Sequence, residues 1–252
     1  MKRYAALLRI LAIIVFIGVL EIMCRKGIID NFTMPPPSRI AQDLWRLLAK
    51  GALNGAIAKT LTNSAIGFVF AVSVGITAAV IIHRFRILRE ALDPLFATYY
   101  AIPVLAFYPL LIILFGLGDA PMIIIAFMLG VIAVIVNTLN GLDRVPRVLL
   151  KTARIVQMTP AEMAFRVTLP FAAPYVLTGV KFAVAYSLIG IIGSEFIMSS
   201  GGMGFEISFA YTNFDNATMY PLIVLILIIS ISVNLMIGQW ERRILTRRGL
   251  LR

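Results

Sequence analysis

Six apolar stretches, each long enough to cross a hydrocarbon core of about 30 Å, follow one another along this chain, and arginine and lysine gather before the first, around the second, between the fourth and fifth and after the sixth. Inside a bilayer every backbone polar group must find a partner within the protein, so such a succession folds as a bundle of helices. Composition agrees, with 60% hydrophobic and 14% charged residues over 252 residues and a mean hydropathy of +0.95. That is too apolar for a soluble domain of this size. The net charge of +11 would suit nucleic acid, but a nucleic-acid reader gathers its basic residues on a soluble face with aromatic residues between them. Here they punctuate the apolar stretches and act as orientation signals, so nucleic acid is not an expected partner. Cys24 is the single cysteine and His83 the single histidine. An internal disulfide and a cysteine-based metal cluster are both excluded, and no metal or cofactor is expected.

The chain reads as one transmembrane domain, residues 1–252, with spans at about 5–23, 60–82, 95–117, 122–139, 174–198 and 220–239. Lys2, Arg3 and Arg9 accompany the first span, and no small-residue cleavage site follows it; a retained helix is expected over a signal peptide, with Glu21 reaching water near its far end. An amphipathic surface helix is expected over about 38–50, with Ser38 as N-cap, Ile40, Leu44, Leu47 and Leu48 on one face, and Gly51 as terminator. Span two is rich in small residues, among them Ser64, Gly67, Ala71 and Gly75, which permit close helix approach in lipid. His83, Arg84, Arg86 and Arg89 after it, and Arg242, Arg243, Arg247, Arg248 and Arg252 after span six, place both chain ends in the cytoplasm.

Pro103 and Pro109 should kink or break span three, which lipid tolerates only where neighbouring groups satisfy the freed carbonyls, so this span belongs inside the bundle. Tyr99, Tyr100 and Tyr108 are candidates to line a pathway or to serve as packing aromatics. Asn137, near the inner end of span four, and Glu195, in span five, complete the pathway candidates. An acid in an apolar span usually faces protein or water, and the place of Glu195 near the outer end predicts a solvated interfacial carboxylate. The glycine-rich run Ser199–Phe205 lacks the Lys-Ser/Thr of a phosphate-binding loop and is expected to be a flexible outer loop.

Residues 144–170 form a polar, basic passage between spans four and five. Thr159 as N-cap, Pro160 at the first helical position and Glu162 three residues after the cap make a capping box. A two-turn helix should start there and present Ala161, Ala164, Phe165 and Thr168 on one face, with Arg166 elsewhere and Pro170 ending it. Arg147–Val156 alternates basic and aliphatic residues with helical period, so helix, tight turn, short helix is predicted.

The spacing Lys151-Thr152-Ala153, then Gln157, then Val167-Thr168-Leu169-Pro170 resembles the cytosolic signature of membrane subunits of binding-protein-dependent ABC importers. The proline-rich segment before residue 38, the stretch 92–121 and the run SSGGMGFEI resemble the nitrate, sulfonate and taurine branch of that family. Lys151 stands where the family has an acid, and Gln157 where a glycine makes the turn. A non-glycine disfavours positive φ, so the bend is expected to move towards Met158-Thr159.

The resemblance implies an all-α integral membrane fold of the type I importer class, with six transmembrane helices and a coupling helix between spans four and five. It implies a permease of the bacterial plasma membrane with no catalysis of its own, paired with a second permease subunit, most simply a second copy. It also implies cytosolic ATPase subunits, which would bind the ATP, and a solute-binding protein outside, for which helix 38–50 is a platform or else a helix resting on lipid headgroups. Gln157, Thr159, Pro160, Ala161, Glu162, Phe165, Arg166, Leu169 and Pro170 would form the ATPase-docking surface. The substrate implied is a small organic or inorganic anion such as a sulfonate or nitrate, or else a thiamine-precursor-like compound. An autonomous channel or secondary transporter is the alternative, compatible with the broken third span; a membrane enzyme would need a cluster of acids, histidines or metal ligands that this sequence lacks.

Overall fold

The computed structural model describes residues 2–247, and among these no strand occurs. Arg248 and Arg252, two of the charges expected to fix the C-terminus, lie outside the described residues. The long helices are α1 (Lys2–Arg25), α3 (Asn54–Arg84), α6 (Asp119–Leu142), α9 (Leu169–Met198) and α11 (Asn216–Arg247). Between them lie α2 (Pro37–Ala49), α4 (Arg86–Tyr99), a 3₁₀ turn (Val104–Phe107), α5 (Tyr108–Phe115), α7 (Arg147–Ile155), α8 (Pro160–Met163), a π turn (Ala164–Thr168) and α10 (Met203–Thr212). Five of the described helical stretches are long and apolar enough to cross a membrane, and a sixth is added if α4 and the 3₁₀–α5 piece count together.

The centre of the bundle is α6, which packs on α3 and α9. On α3 the buried residues are Thr60, Asn63, Ser64, Gly67, Ala71, Gly75, Ala79 and Ile82, a stripe at spacings of three and four. Such a row of small side chains forms a shallow groove into which a neighbouring helix can settle. The approach is close enough that a Cβ on Gly67 would stand 2.7 Å from the Ala126 Cβ, and one on Gly190 2.9 Å from the Ala126 Cα. Three helices therefore meet at Ala126. Ser73, on the same helix, faces out, and its hydroxyl donates to Val69 O.

The third apolar stretch is not one rod. The α4 and 3₁₀–α5 pieces are bent by 93° at Tyr100–Pro103, where Pro103 cannot continue the ladder of α4. Pro109 causes no second kink, because it sits in the first turn of α5, where a missing N–H costs nothing.

Two expectations about caps also change. The N-cap position of α2 belongs to Pro36 rather than Ser38, because the Ser38 N–H (2.9 Å) and hydroxyl (2.7 Å) donate to the Glu21 carboxylate. Glu21 also accepts from Arg25 Nε at 2.6 Å, so instead of reaching into water alone it ties α1 to the start of α2. The apolar face of α2 is occupied by the protein itself: Leu44 and Leu47 pack on a cluster of Leu53, Met203, Ile207, Leu222 and Leu225.

The two ends of the bundle differ in character. One, the basic end, carries Arg84, Arg86, Arg89, Arg144, Arg147 and Arg154 with α7 and α8; the other, the capped end, carries α2 and α10. At the basic end Asp143 pairs with His83 (3.2 Å) and Arg89 (3.4 Å), and the Arg144 guanidinium lies 4.9 Å from the Tyr175 ring centroid while bonding its hydroxyl. These contacts tie the loop after α6 to α3, α4 and α9.

Candidate functional site

The basic end is built by local backbone chemistry. Helix α7 terminates in a Schellman arrangement, with Met158 N–H donating to Ala153 O and Gln157 N–H to Arg154 O, each at 3.0 Å. Gln157 takes φ +57°, the left-handed conformation that glycine adopts without cost. The expected shift of the bend towards Met158-Thr159 is thus corrected: Gln157 makes the turn, because two carbonyls of the preceding helix are satisfied only if it does.

Thr159 then starts α8. Its Oγ1 accepts from Glu162 N–H at 3.2 Å, and Glu162 Oε2 accepts from Thr159 N–H at 3.0 Å, so both halves of the capping box form. These bonds from the Thr159 N–H and hydroxyl, with Arg166 nearby, hold the Glu162 carboxyl below the usual carboxylate range. Pro160 occupies the first helical position, and Arg166 lies 3.8 Å from Glu162.

Pro170 does not end this helix. The segment passes from α8 through the π turn directly into α9, with Pro170 in the first turn of α9. A π turn re-routes the hydrogen bonds ahead of the proline, with Leu169 N–H donating to Ala164 O, and the Thr168 hydroxyl adds bonds to the carbonyls of Met163 (3.1 Å) and Ala164 (2.9 Å). The extra residue of the π turn also divides the expected face: Ala161 and Phe165 are exposed, Phe165 to 69%, whereas Ala164 is half-buried and Thr168 buried. Gln157, Thr159, Pro160 and Arg166 share the exposed surface, while Glu162, Leu169 and Pro170 are half-buried. Between this segment and α3 lies a cavity of about 600 Å³, bordered by Ile81, Arg84, Leu150, Arg154, Ala161 and Phe165.

The pathway candidates do not form one cluster, although Tyr108 lies within electrostatic range of Glu195. Tyr108 is 2% exposed, packed among Val104, Leu111, Met122, Ile125, Ala126 and Ile191. Tyr99 donates its hydroxyl to Met128 O at 2.9 Å, and Asn137 its amide to Ala133 O at 2.8 Å. Tyr100, 55% exposed at the bend after α4, presents itself to the outside.

Glu195 is a correction. It is 1% exposed rather than solvated. The Thr60 hydroxyl reaches both its oxygens, at 2.9 and 2.8 Å, and Gly204 N–H donates to Oε2 at 3.0 Å. Met203 N–H in turn donates to Thr60 Oγ1 at 2.8 Å. The first amides of α10 are thereby satisfied by residues of α3 and α9, and the predicted flexible loop is a cap built on them. Thr60, Gly202 and Gly204 were not singled out as site residues from the sequence. The available signal was an acid in an apolar span followed by a glycine pair, a combination that suits a carboxylate seated on backbone.

Comparison with known proteins places these features among transporters. The family described as "Binding-protein-dependent transport system inner membrane component" matches residues 71–246. The nitrate import permease protein NrtB of Leptolyngbya laminosa is 25% identical over 237 residues, covering 90% of this chain and 84% of that protein. The putative aliphatic sulfonates transport permease protein SsuC of Bacillus subtilis (strain 168) is 24% identical over 248 residues, covering 98% and 90%. The bicarbonate transport system permease protein CmpB of Synechococcus elongatus is 32% identical over 173 residues, covering 67% and 62%. Among solved structures, an inward-facing form of the MetNI methionine ABC transporter superposes with a TM-score of 0.66 at 16% identity, covering 77% of this chain and 95% of that one. At that identity the likeness is one of fold.

Proposed function

The chain belongs to the binding-protein-dependent transport system inner membrane components, the permease subunits of ABC importers, and from that membership we propose that it forms the translocation pathway for a small oxyanion, driven by a separate ATPase. Relatives named for nitrate, aliphatic sulfonates and bicarbonate support an anionic solute. In this reading the basic end faces the cytoplasm of a bacterium, both chain termini included. Two copies of the chain pair in the plasma membrane, and a solute-binding protein delivers the anion at the capped end. ATP is bound and hydrolysed by the partner ATPase.

The observation that carries the coupling is the exposed, capped segment from Thr159 to Arg166, rooted without a break in α9. An element that receives force from a partner must transmit it rather than bend. The capping box contributes on the order of 1 kcal/mol to that stiffness. Phe165 supplies an apolar anchor for a groove, Ala161 allows close approach, and Arg166 offers a polar contact at the rim.

The test is affinity purification of the chain from its native host in mild detergent, followed by identification of what stays bound. A cytosolic ATPase is expected, and reconstitution with it should give ATP-dependent uptake of nitrate or of an alkanesulfonate. Recovery of the chain alone, even after crosslinking through Ala161→Cys, would overturn the ATPase-coupled reading in favour of an autonomous channel or secondary transporter.

A further inference from the structure

Helix α9 carries a distinctive element at each end. Its 30 residues give a rise of about 45 Å at 1.5 Å per residue. At one end it continues into the segment Pro160–Thr168, which exposes Ala161, Phe165 and Arg166; at the other it carries Glu195. A buried carboxylate in an apolar helix is costly unless hydrogen bonds compensate it, and here its two partners, Thr60 and Gly204, lie on different helices.

Through Thr60 the carboxylate holds α3, at 2.8 and 2.9 Å. Through Gly204 N–H it holds α10, at 3.0 Å. Thr60 closes the triangle by accepting from Met203 N–H at 2.8 Å. Packing reinforces the bonds: Gly202 has φ +106°, and a Cβ on it would lie 2.1 Å from Glu195 Oε1, so the backbone of the α10 cap rests directly on the carboxylate. Helix α10 has no side-chain cap at its own N-cap position, which is Gly202. Its far side joins the cluster of Leu53, Met203, Ile207, Leu222 and Leu225, on which α2 sits. Beside Thr60, Lys59 pairs with Asp119 at 3.2 Å and so fastens α3 to the start of α6 at the same level.

We propose that Glu195 is a positioning residue for transport, clamping α10 and the outer end of α3 to α9 so that displacement of the docking segment reaches the outer mouth as a joint movement of the three helices. The transmission rests on the reading of Thr159–Arg166 as the ATPase contact; the clamp itself does not. Glutamine preserves the geometry, since its amide oxygen accepts from Gly204 N–H and its amide nitrogen donates to Thr60 Oγ1. Alanine leaves the Gly204 N–H and the Thr60 hydroxyl without this acceptor.

Two measurements separate the parts. Hydrogen exchange of residues 203–212, followed by mass spectrometry on the purified chain, reads the clamp: Glu195→Ala should exchange at least tenfold faster than the parent, and Glu195→Gln within threefold of it. In the ATPase complex, in a Cys24→Ser background, the labelling rate of Tyr211→Cys by a membrane-impermeant maleimide, with and without ATP and vanadate, reads the transmission. Tyr211 is an exposed position on α10. Labelling should depend on nucleotide at least threefold in the parent and in Glu195→Gln, and not in Glu195→Ala, while the ATPase stays bound and hydrolyses ATP in all three.

If Glu195→Ala does not fold, Thr60→Val removes both bonds of α3, to Glu195 and from Met203 N–H, while leaving Gly204 N–H on Glu195, and should lose most of the nucleotide dependence. Unchanged exchange in Glu195→Ala overturns the clamp. Parental labelling that ignores nucleotide, or a nucleotide response retained in both Glu195→Ala and Thr60→Val, overturns the transmission. An ATPase that never co-purifies overturns the docking reading instead, and hydrogen exchange still decides the clamp.

Discussion

Glu162 and Glu195 each cap a helix, one at each end of the bundle, and they do so in opposite ways. Glu162 closes a box with Thr159, three residues away, on an exposed turn. Glu195 caps α10 from another helix, with its hydroxyl partner 135 residues away and the whole arrangement buried. The first arrangement is local and replaceable: water can take over any bond that is lost, so its contribution stays near 1 kcal/mol. The second has no water to fall back on, and each donor left without an acceptor there costs its full desolvation penalty. An exposed, locally determined element suits a surface that a partner must grasp, whereas a buried junction of three helices suits parts that must move together.

The harshest way to break this contrast is Gly202→Ala. The added Cβ meets the Glu195 carboxylate, and the residue must hold φ +106°. Overpacking and left-handed backbone together should cost roughly 3 kcal/mol or more. Thermal unfolding in detergent should show a markedly lower midpoint, or no folded material. A Cβ at Gly201, by contrast, comes no nearer than 3.5 Å to the flexible Lys59 side chain, so Gly201→Ala should be far milder. Equal losses at the two glycines would mean that the carboxylate seat is not special.

At the docking end the corresponding change is Thr159→Gly with Phe165→Ala. It should leave the unfolding midpoint nearly unchanged and weaken ATPase attachment by about 2 kcal/mol, or roughly 30-fold, as removal of an interface anchor does. Co-purification at the parental level would break the assignment of this segment as the contact.

What could be read from the sequence follows the same division. The capping box was legible because Thr159, Pro160 and Glu162 fall within four residues and obey one local rule. The all-helical bundle was legible because lipid leaves few other ways to satisfy the backbone. The bend at Tyr100–Pro103 was visible in its proline. The continuation through Pro170 was not, because it depends on a π turn and on the Thr168 hydroxyl, neither of which periodicity encodes. Nor was the burial of Glu195, since nothing near it in the chain announces that Thr60 stands opposite. Gln157 lies between these cases: the need for a turn there was visible, but its side-chain preference pointed the bend to Met158-Thr159, whereas its conformation follows from the two carbonyls of α7.

Gln157 therefore sharpens the comparison on the local side. A non-glycine side chain at φ +57° costs about 1 kcal/mol. Gln157→Gly should relieve that strain, offset in part by greater freedom of the unfolded chain. The expected net is a gain of up to about 1 kcal/mol in stability, with no loss of ATPase attachment. A loss of stability would indicate that the exposed Gln157 side chain makes a contribution beyond the turn.

The smallest effect is expected one residue from the largest polar junction. Ser194 is fully buried, and its hydroxyl has no hydrogen-bond partner among the described residues. Burying a hydroxyl without a partner is a penalty, so removing it should be neutral or mildly stabilising, within about 0.5 kcal/mol. Ser194→Ala and Glu195→Ala are adjacent and equally buried, and both delete polar atoms from α9. They differ in what they leave behind: alanine at 194 abandons no group, while alanine at 195 abandons the Gly204 N–H and the Thr60 hydroxyl. Parallel unfolding measurements on the two variants test whether burial alone or partnership sets the cost. A loss above about 1 kcal/mol for Ser194→Ala would show that this hydroxyl has a partner in the assembled membrane protein, and the junction would then extend beyond Glu195.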